Sequence, residues 1–272
     1  MKNIFHWKKR PFVYAIIITV GFAFLISILE NLSDGFFFMG AIALYFVLLF
    51  ELFITISYAK RLLDQFELPQ VNSKHVQVQL VHHLVLPSLA YYSLIAYLFF
   101  NHQLSLKLLT LALVFVIFAI LFTNIRALYE DKYKLEQSTH SIYDAIMILT
   151  AFLGTDALLN SLSFIGSPTI LILLSVTALL ALLGVLVIVR YQLLKPIFVL
   201  ELVITIILFN IVLYILLSIG LAVFITSFLS TLFFYYILAF LSHLHEGTAS
   251  KKILIEYVIV FAIMIVVLYG LI

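Results

Sequence analysis

Five carboxylates occupy places where a polar side chain needs a reason: Glu51, Asp144, Asp156, Glu201 and Glu256 each lie inside a long apolar run. A charge centred in a membrane costs roughly 2.5 to 3.5 kcal/mol on the insertion scale, so an acid that cannot reach water marks a proton, ion or substrate path. Glu51 and Asp156 are the two placed too deep in their runs to reach water easily. Asn210 adds a polar amide in the middle of another apolar run. The residues expected to line a path are therefore Glu51, Asp156, Glu201 and Asn210.

The histidines form a second group. His82 and His83 open one apolar run, His140 and Asp144 share a helical face at i, i+4, and His243 and His245 close another run. If these three helix ends converge, His82, His83, His140, Asp144, His243 and His245 offer five imidazoles and one carboxylate to a divalent transition metal. Neutral imidazole suits zinc, iron or copper. The chain has no cysteine, which removes disulfides, thiolate metal sites and cysteine nucleophiles, so any metal would be held by nitrogen and oxygen alone. The plainer reading is that such residues reach headgroups and water at the interface, with Lys252 pairing with Glu256 at i, i+4.

Several familiar chemistries find no footing. There is no phosphate-binding glycine loop, dinucleotide fingerprint or nucleophile-elbow serine. His245-Glu246 begins like a zincin helix, but position 249, where the second histidine would fall, is Ala249. No apolar run holds the lysine that a retinal Schiff base requires. Tyr143-Asp144 and Gly154-Thr155-Asp156 resemble the aspartate motifs of intramembrane aspartyl proteases, yet both lie on one helix, roughly 18 Å apart at 1.5 Å per residue, and cannot share one water.

The elements that must position these residues follow from composition. Hydrophobic residues make up 65% of the 272 positions and charged residues 10%, against roughly 45–50% and 25% in soluble domains. No water-soluble fold has interior enough for that much apolar side chain. A bilayer core of about 30 Å needs about 20 apolar residues in a helix. Nine runs qualify: 11–29, 36–58, 80–100, 108–125, 142–164, 168–189, 196–219, 220–241 and 253–272. The apolar stretch 196–241 is cut at Ser218, Ile219 and Gly220, because it is too long for one crossing. The expectation is an all-α polytopic transmembrane bundle of about nine spans, forming four hairpins and a final helix. Between the spans, no segment is long enough to bury a core of its own.

Charge gives direction. With the N-terminus inside, fourteen of the fifteen Lys and Arg residues fall on the cytoplasmic side of short loops and only Lys107 falls outside, as the positive-inside rule requires. This places the chain in the plasma (inner) membrane with a cytoplasmic N-terminus and an external C-terminus. The N-terminal run of about 19 residues exceeds a secretory h-region of about 7 to 15 and reads as a retained span. The formal charge of +2 forms no basic patch and argues against a nucleic-acid partner. Pro87 is expected to kink the third span just beyond His82 and His83, and Tyr91, Tyr92, Tyr235 and Tyr236 either line a cavity or pack.

Three functions compete on these residues. The favoured one is a small transporter, channel or membrane subunit of a larger complex, whose partners are the bilayer and other membrane subunits. The second is a metal-dependent membrane enzyme acting on a lipid or lipid-linked substrate at the cytoplasmic leaflet. The third is a scaffold without chemistry.

Overall fold

A computed structural model describes residues 10–65, 73–101, 103–130, 136–166, 168–190 and 196–245, with positions 255, 258, 259, 262 and 266. Among these residues every regular element is a helix: α1 (Arg10–Asn31), α2 (Asp34–Gln65), α3 (Ser73–Phe100), α4 (Leu104–Glu130), α5 (Glu136–Ile165), α6 (Thr169–Arg190), α7 (Pro196–Ile219) and α8 (Val223–His245). Six stretches are long and apolar enough to cross a membrane: Arg10–Asn31, Asp34–Thr55, Leu104–Thr123, Tyr143–Leu162, Thr169–Ile188 and Ile197–Ile219. Two shorter apolar stretches, Leu84–Phe100 and Val223–Ile237, belong to α3 and α8. The expected ninth span, 253–272, lies outside the described residues except at five positions.

These helices are apolar on all sides, the pattern of a helix that meets protein on one face and lipid on the other. On α1, Ala15, Ile18, Phe22 and Leu25 are buried at alternating spacings of three and four, whereas Phe12, Ile16, Val20 and Phe24 point outward. In water such an outer face would not persist. In hydrocarbon it costs nothing, and the helix keeps every mid-chain N–H and C=O paired within itself.

The chain divides into two compact units, Met1–Thr150 and Ala151–Ile272, and α5 runs across the boundary. In the first unit α4 packs against α1, α2 and α3, and α2 also packs against α1 and α3. The α1–α2 hairpin closes through small residues: Leu44 of α2 occupies the space over Gly21 of α1, and Leu25 of α1 occupies the space over Gly40 of α2. Without a hydrophobic drive between helices in lipid, this close approach supplies the dispersion energy that holds them. Two hydroxyl bonds fasten α2 to α3: Tyr91 donates to the Ala41 carbonyl at 2.6 Å, and Tyr45 donates to Ser88 Oγ at 3.0 Å. Pro87 immediately precedes Ser88, the first of the two α3 anchors, and brings no N–H to its own helix.

In the second unit α7 packs against α6 and α8. Ile188, Phe198, Leu202 and Ile206 form a buried cluster with Ala181 packed on it, and Leu202 takes the room left by Gly184. Phe209 of α7 meets Phe234 of α8 edge-on at 6.0 Å. The C-terminal half of α5 joins α8 through Phe152, whose ring stands edge-on to Phe224 at 5.4 Å and Phe228 at 6.2 Å. Between α7 and α8 the chain reverses at Gly220, whose φ of 79° suits glycine and whose N–H bonds to the Leu217 carbonyl.

Candidate functional site

Glu51 lies in the apolar stretch of α2, four residues before its end at Thr55, or about 6 Å of helix. Its carboxylate turns toward α1. There the Tyr14 hydroxyl and, one turn earlier, the Arg10 guanidinium stand beside it. Tyr14 is held from behind by Phe122 of α4, edge-on at 5.7 Å. Two groups of α1 thus face one acid of α2, and α4 backs Tyr14. Glu51 Oε2 is enclosed and has no hydrogen-bond partner, while Thr55 bonds to the Glu51 main-chain carbonyl at 2.8 Å and leaves the side chain untouched.

Asp156 is more deeply enclosed. It sits on α5 thirteen residues into the apolar stretch Tyr143–Leu162 and is 2% exposed. Asn160, one turn on, donates from Nδ2 to Asp156 Oδ2 at 2.9 Å. Phe152, Thr155, Asp156 and Leu159 occupy neighbouring positions on one side of α5, by the i, i+3, i+4 spacing. Buried carboxylates at such depth are rare in membranes and face protein or a polar cavity.

The remaining path residues fall elsewhere in the second unit. Asn210 of α7 donates from Nδ2 to Thr177 Oγ1 of α6 at 2.8 Å and to the Ile206 carbonyl at 2.8 Å. The Thr177 hydroxyl in turn lies 2.7 Å from the Leu173 carbonyl and 3.0 Å from Asn210 Oδ1. This amide therefore clasps two helices. Glu201 is half-buried near the start of α7, and Thr205 bonds to its main-chain carbonyl.

For the metal set, the described side chains include only Asp144, which is half-buried on α5. The side chains of His82, His83, His140, His243 and His245 lie outside the described residues, although their backbones belong to α3, α5 and α8. Among the described residues, no group of three His, Asp or Glu side chains is placed to hold a metal ion.

Three features escaped the sequence. Arg10 counted there only among the basic residues and Tyr14 was not singled out, and only the packing of α1 on α2 brings them to Glu51. Lys107 pairs with Glu30 at 2.9 Å, joining the start of α4 to the end of α1. Lys107 is thus both the lone exception to the basic asymmetry and nearly buried. Third, Thr155, Thr226 and Thr231 are fully enclosed, yet their hydroxyls have no partner. Tyr91, one of the tyrosines that could have lined a cavity, is part of the core instead, with its ring against Phe22 and Tyr45.

Compared with protein-family models, curated proteins and solved structures, the chain matches none.

Proposed function

We propose that this chain is a polytopic protein of the plasma (inner) membrane that moves a proton or small cation, either alone or as the membrane subunit of a larger complex. The observation that carries the reading is Glu51. An acid within the apolar stretch of α2 faces Tyr14 and Arg10 of α1 and keeps one enclosed oxygen without a partner. A purely structural ion pair gains from satisfying both oxygens, because an uncompensated buried acceptor costs about 1–3 kcal/mol. A carboxylate that must take up and release a cation needs an open acceptor.

In this reading Tyr14 and Arg10 hold the Glu51 carboxylate in place, Asp156 is the deep acid of the second unit, Glu201 is an acid near the start of α7, and Asn210 fixes the spacing of α6 and α7 along the path. The basic asymmetry supports a cytoplasmic N-terminus and an external C-terminus. The bilayer and other membrane subunits are the partners. The test is flux. Purified protein in proteoliposomes, alone and with any co-purifying partners, is expected to dissipate an imposed proton or sodium gradient faster than protein-free vesicles. No movement of either ion in both preparations would reject the reading.

A further inference from the structure

The groups that face Glu51 decide what it can exchange. Its carboxylate stands beside the Tyr14 hydroxyl and the Arg10 guanidinium of α1, and its Oε2 is enclosed with no hydrogen-bond partner. A guanidinium offers only N–H donors and keeps its charge, whereas a phenol offers one O–H and its lone pairs. Thr55, one turn on, spends its hydroxyl proton on the Glu51 main-chain carbonyl at 2.8 Å. From α4, Phe122 brings an aromatic ring behind Tyr14. Among the described residues, Arg10 and Tyr14 are the charged and titratable groups that face this acid from the helices packed on α2.

We propose that Glu51 is a proton-only site: its carboxylate takes up and releases a proton beside Arg10 and Tyr14, and admits neither sodium nor another metal cation. An alkali ion leaves water only for a set of oxygens that replaces its hydration shell. Here the carboxylate meets a fixed positive charge that has no lone pair to give, and that charge repels a second cation at contact distance. A proton needs one lone pair and no coordination shell, and Oε2 keeps its lone pairs free of any hydrogen bond. The exchange balances. Hydronium gives its proton to a carboxylate oxygen, so that one O–H bond forms and water remains, and release to water breaks that same bond. The route to water is short, because Arg10 is the first residue of the apolar stretch of α1 and Glu51 lies four residues from the end of that of α2. Both therefore sit near one membrane face, which the basic asymmetry reads as the cytoplasmic one.

This inference rests on the transport reading for its purpose and narrows the ion to a proton. The test is labelling of the full chain in proteoliposomes with a hydrophobic carbodiimide, which adds across the O–H of a protonated carboxyl and leaves its mass on the residue. Mass spectrometry of the digested chain is expected to find the adduct on Glu51, growing as pH falls and equal in sodium chloride and choline chloride. The same vesicles should carry protons in sodium-free buffer and take up no radioactive sodium. Glu51→Gln should lower that proton flux by about tenfold or more, the scale of one strong charge-assisted interaction. Glu51→Asp, which keeps an ionisable group, should retain more of it. Protection of Glu51 by sodium overturns the proposal, as does sodium uptake that Glu51→Gln abolishes, or the absence of a Glu51 adduct at every pH. Failure of the transport reading looks different: the adduct forms independently of sodium, yet neither ion crosses, which keeps the proton site and removes its transport purpose.

Discussion

At the scale of single residues, the two halves of an ion pair are not equivalent. Lys107 is almost enclosed by its neighbours, whereas the Glu30 side chain is 44% exposed. Removing the lysine leaves an acid that water can solvate; removing the acid leaves an enclosed ammonium with no counter-charge. Glu30→Gln is therefore expected to destabilise the protein more than Lys107→Met. The loss of a hydrogen bond to a charged group sets the scale at about 1.5–3 kcal/mol. Thermal unfolding of both variants in one detergent checks the order, and a larger loss for Lys107→Met would show that packing of the lysine stem matters more than its charge. The same reasoning explains why this pair was not legible in sequence. Glu30 and Lys107 are 77 positions apart, and only the packing of α1 against α4 makes them neighbours. Thr155 was equally hidden. A threonine in an apolar run ordinarily bonds within its own helix, and nothing in its spacing reveals that it does not.

At the scale of helices, length and composition carried most of the information. The long apolar runs became helices because a chain in hydrocarbon must pair its backbone internally, and the reversal after α7 falls at Gly220, where the long apolar stretch had been cut. How helices choose their neighbours was much less legible, because residues that are apolar on every side do not say which face meets protein. Small residues and amides settle that choice. Gly184 admits Leu202 between α6 and α7, so Gly184→Ile is expected to force those helices apart at a cost of about 1–3 kcal/mol. Asn210→Leu removes the clasp to Thr177, which should cost about 0.6 kcal/mol and no more than about 1.7 kcal/mol. Unfolding in mixed micelles measures both. A loss of flux by Asn210→Leu without any loss of stability would give Asn210 a direct place in the path in addition to its role as a clasp.

For the whole molecule, the membrane class was plain from composition; of the two acids singled out at depth, Glu51 is half-buried beside Tyr14 and Arg10, and Asp156 is almost fully buried. The six stretches of spanning length among the described residues leave the full number of crossings to topology mapping. A reporter active only in the cytoplasm, fused after Ile272, should be silent if the C-terminus is external; activity would move the chain by one crossing. The central claim, that acids inside the membrane layer carry charge movement, is tested most directly by ion flux through proteoliposomes holding the unmodified chain, Glu51→Gln or Asp156→Asn at equal density. Gln and Asn keep size and hydrogen bonding but can neither carry a charge nor release a proton. The account expects folded, monodisperse variants whose flux falls by about tenfold or more, the scale of removing one strong charge-assisted interaction. Flux equal to that of the unmodified chain in both variants would contradict it.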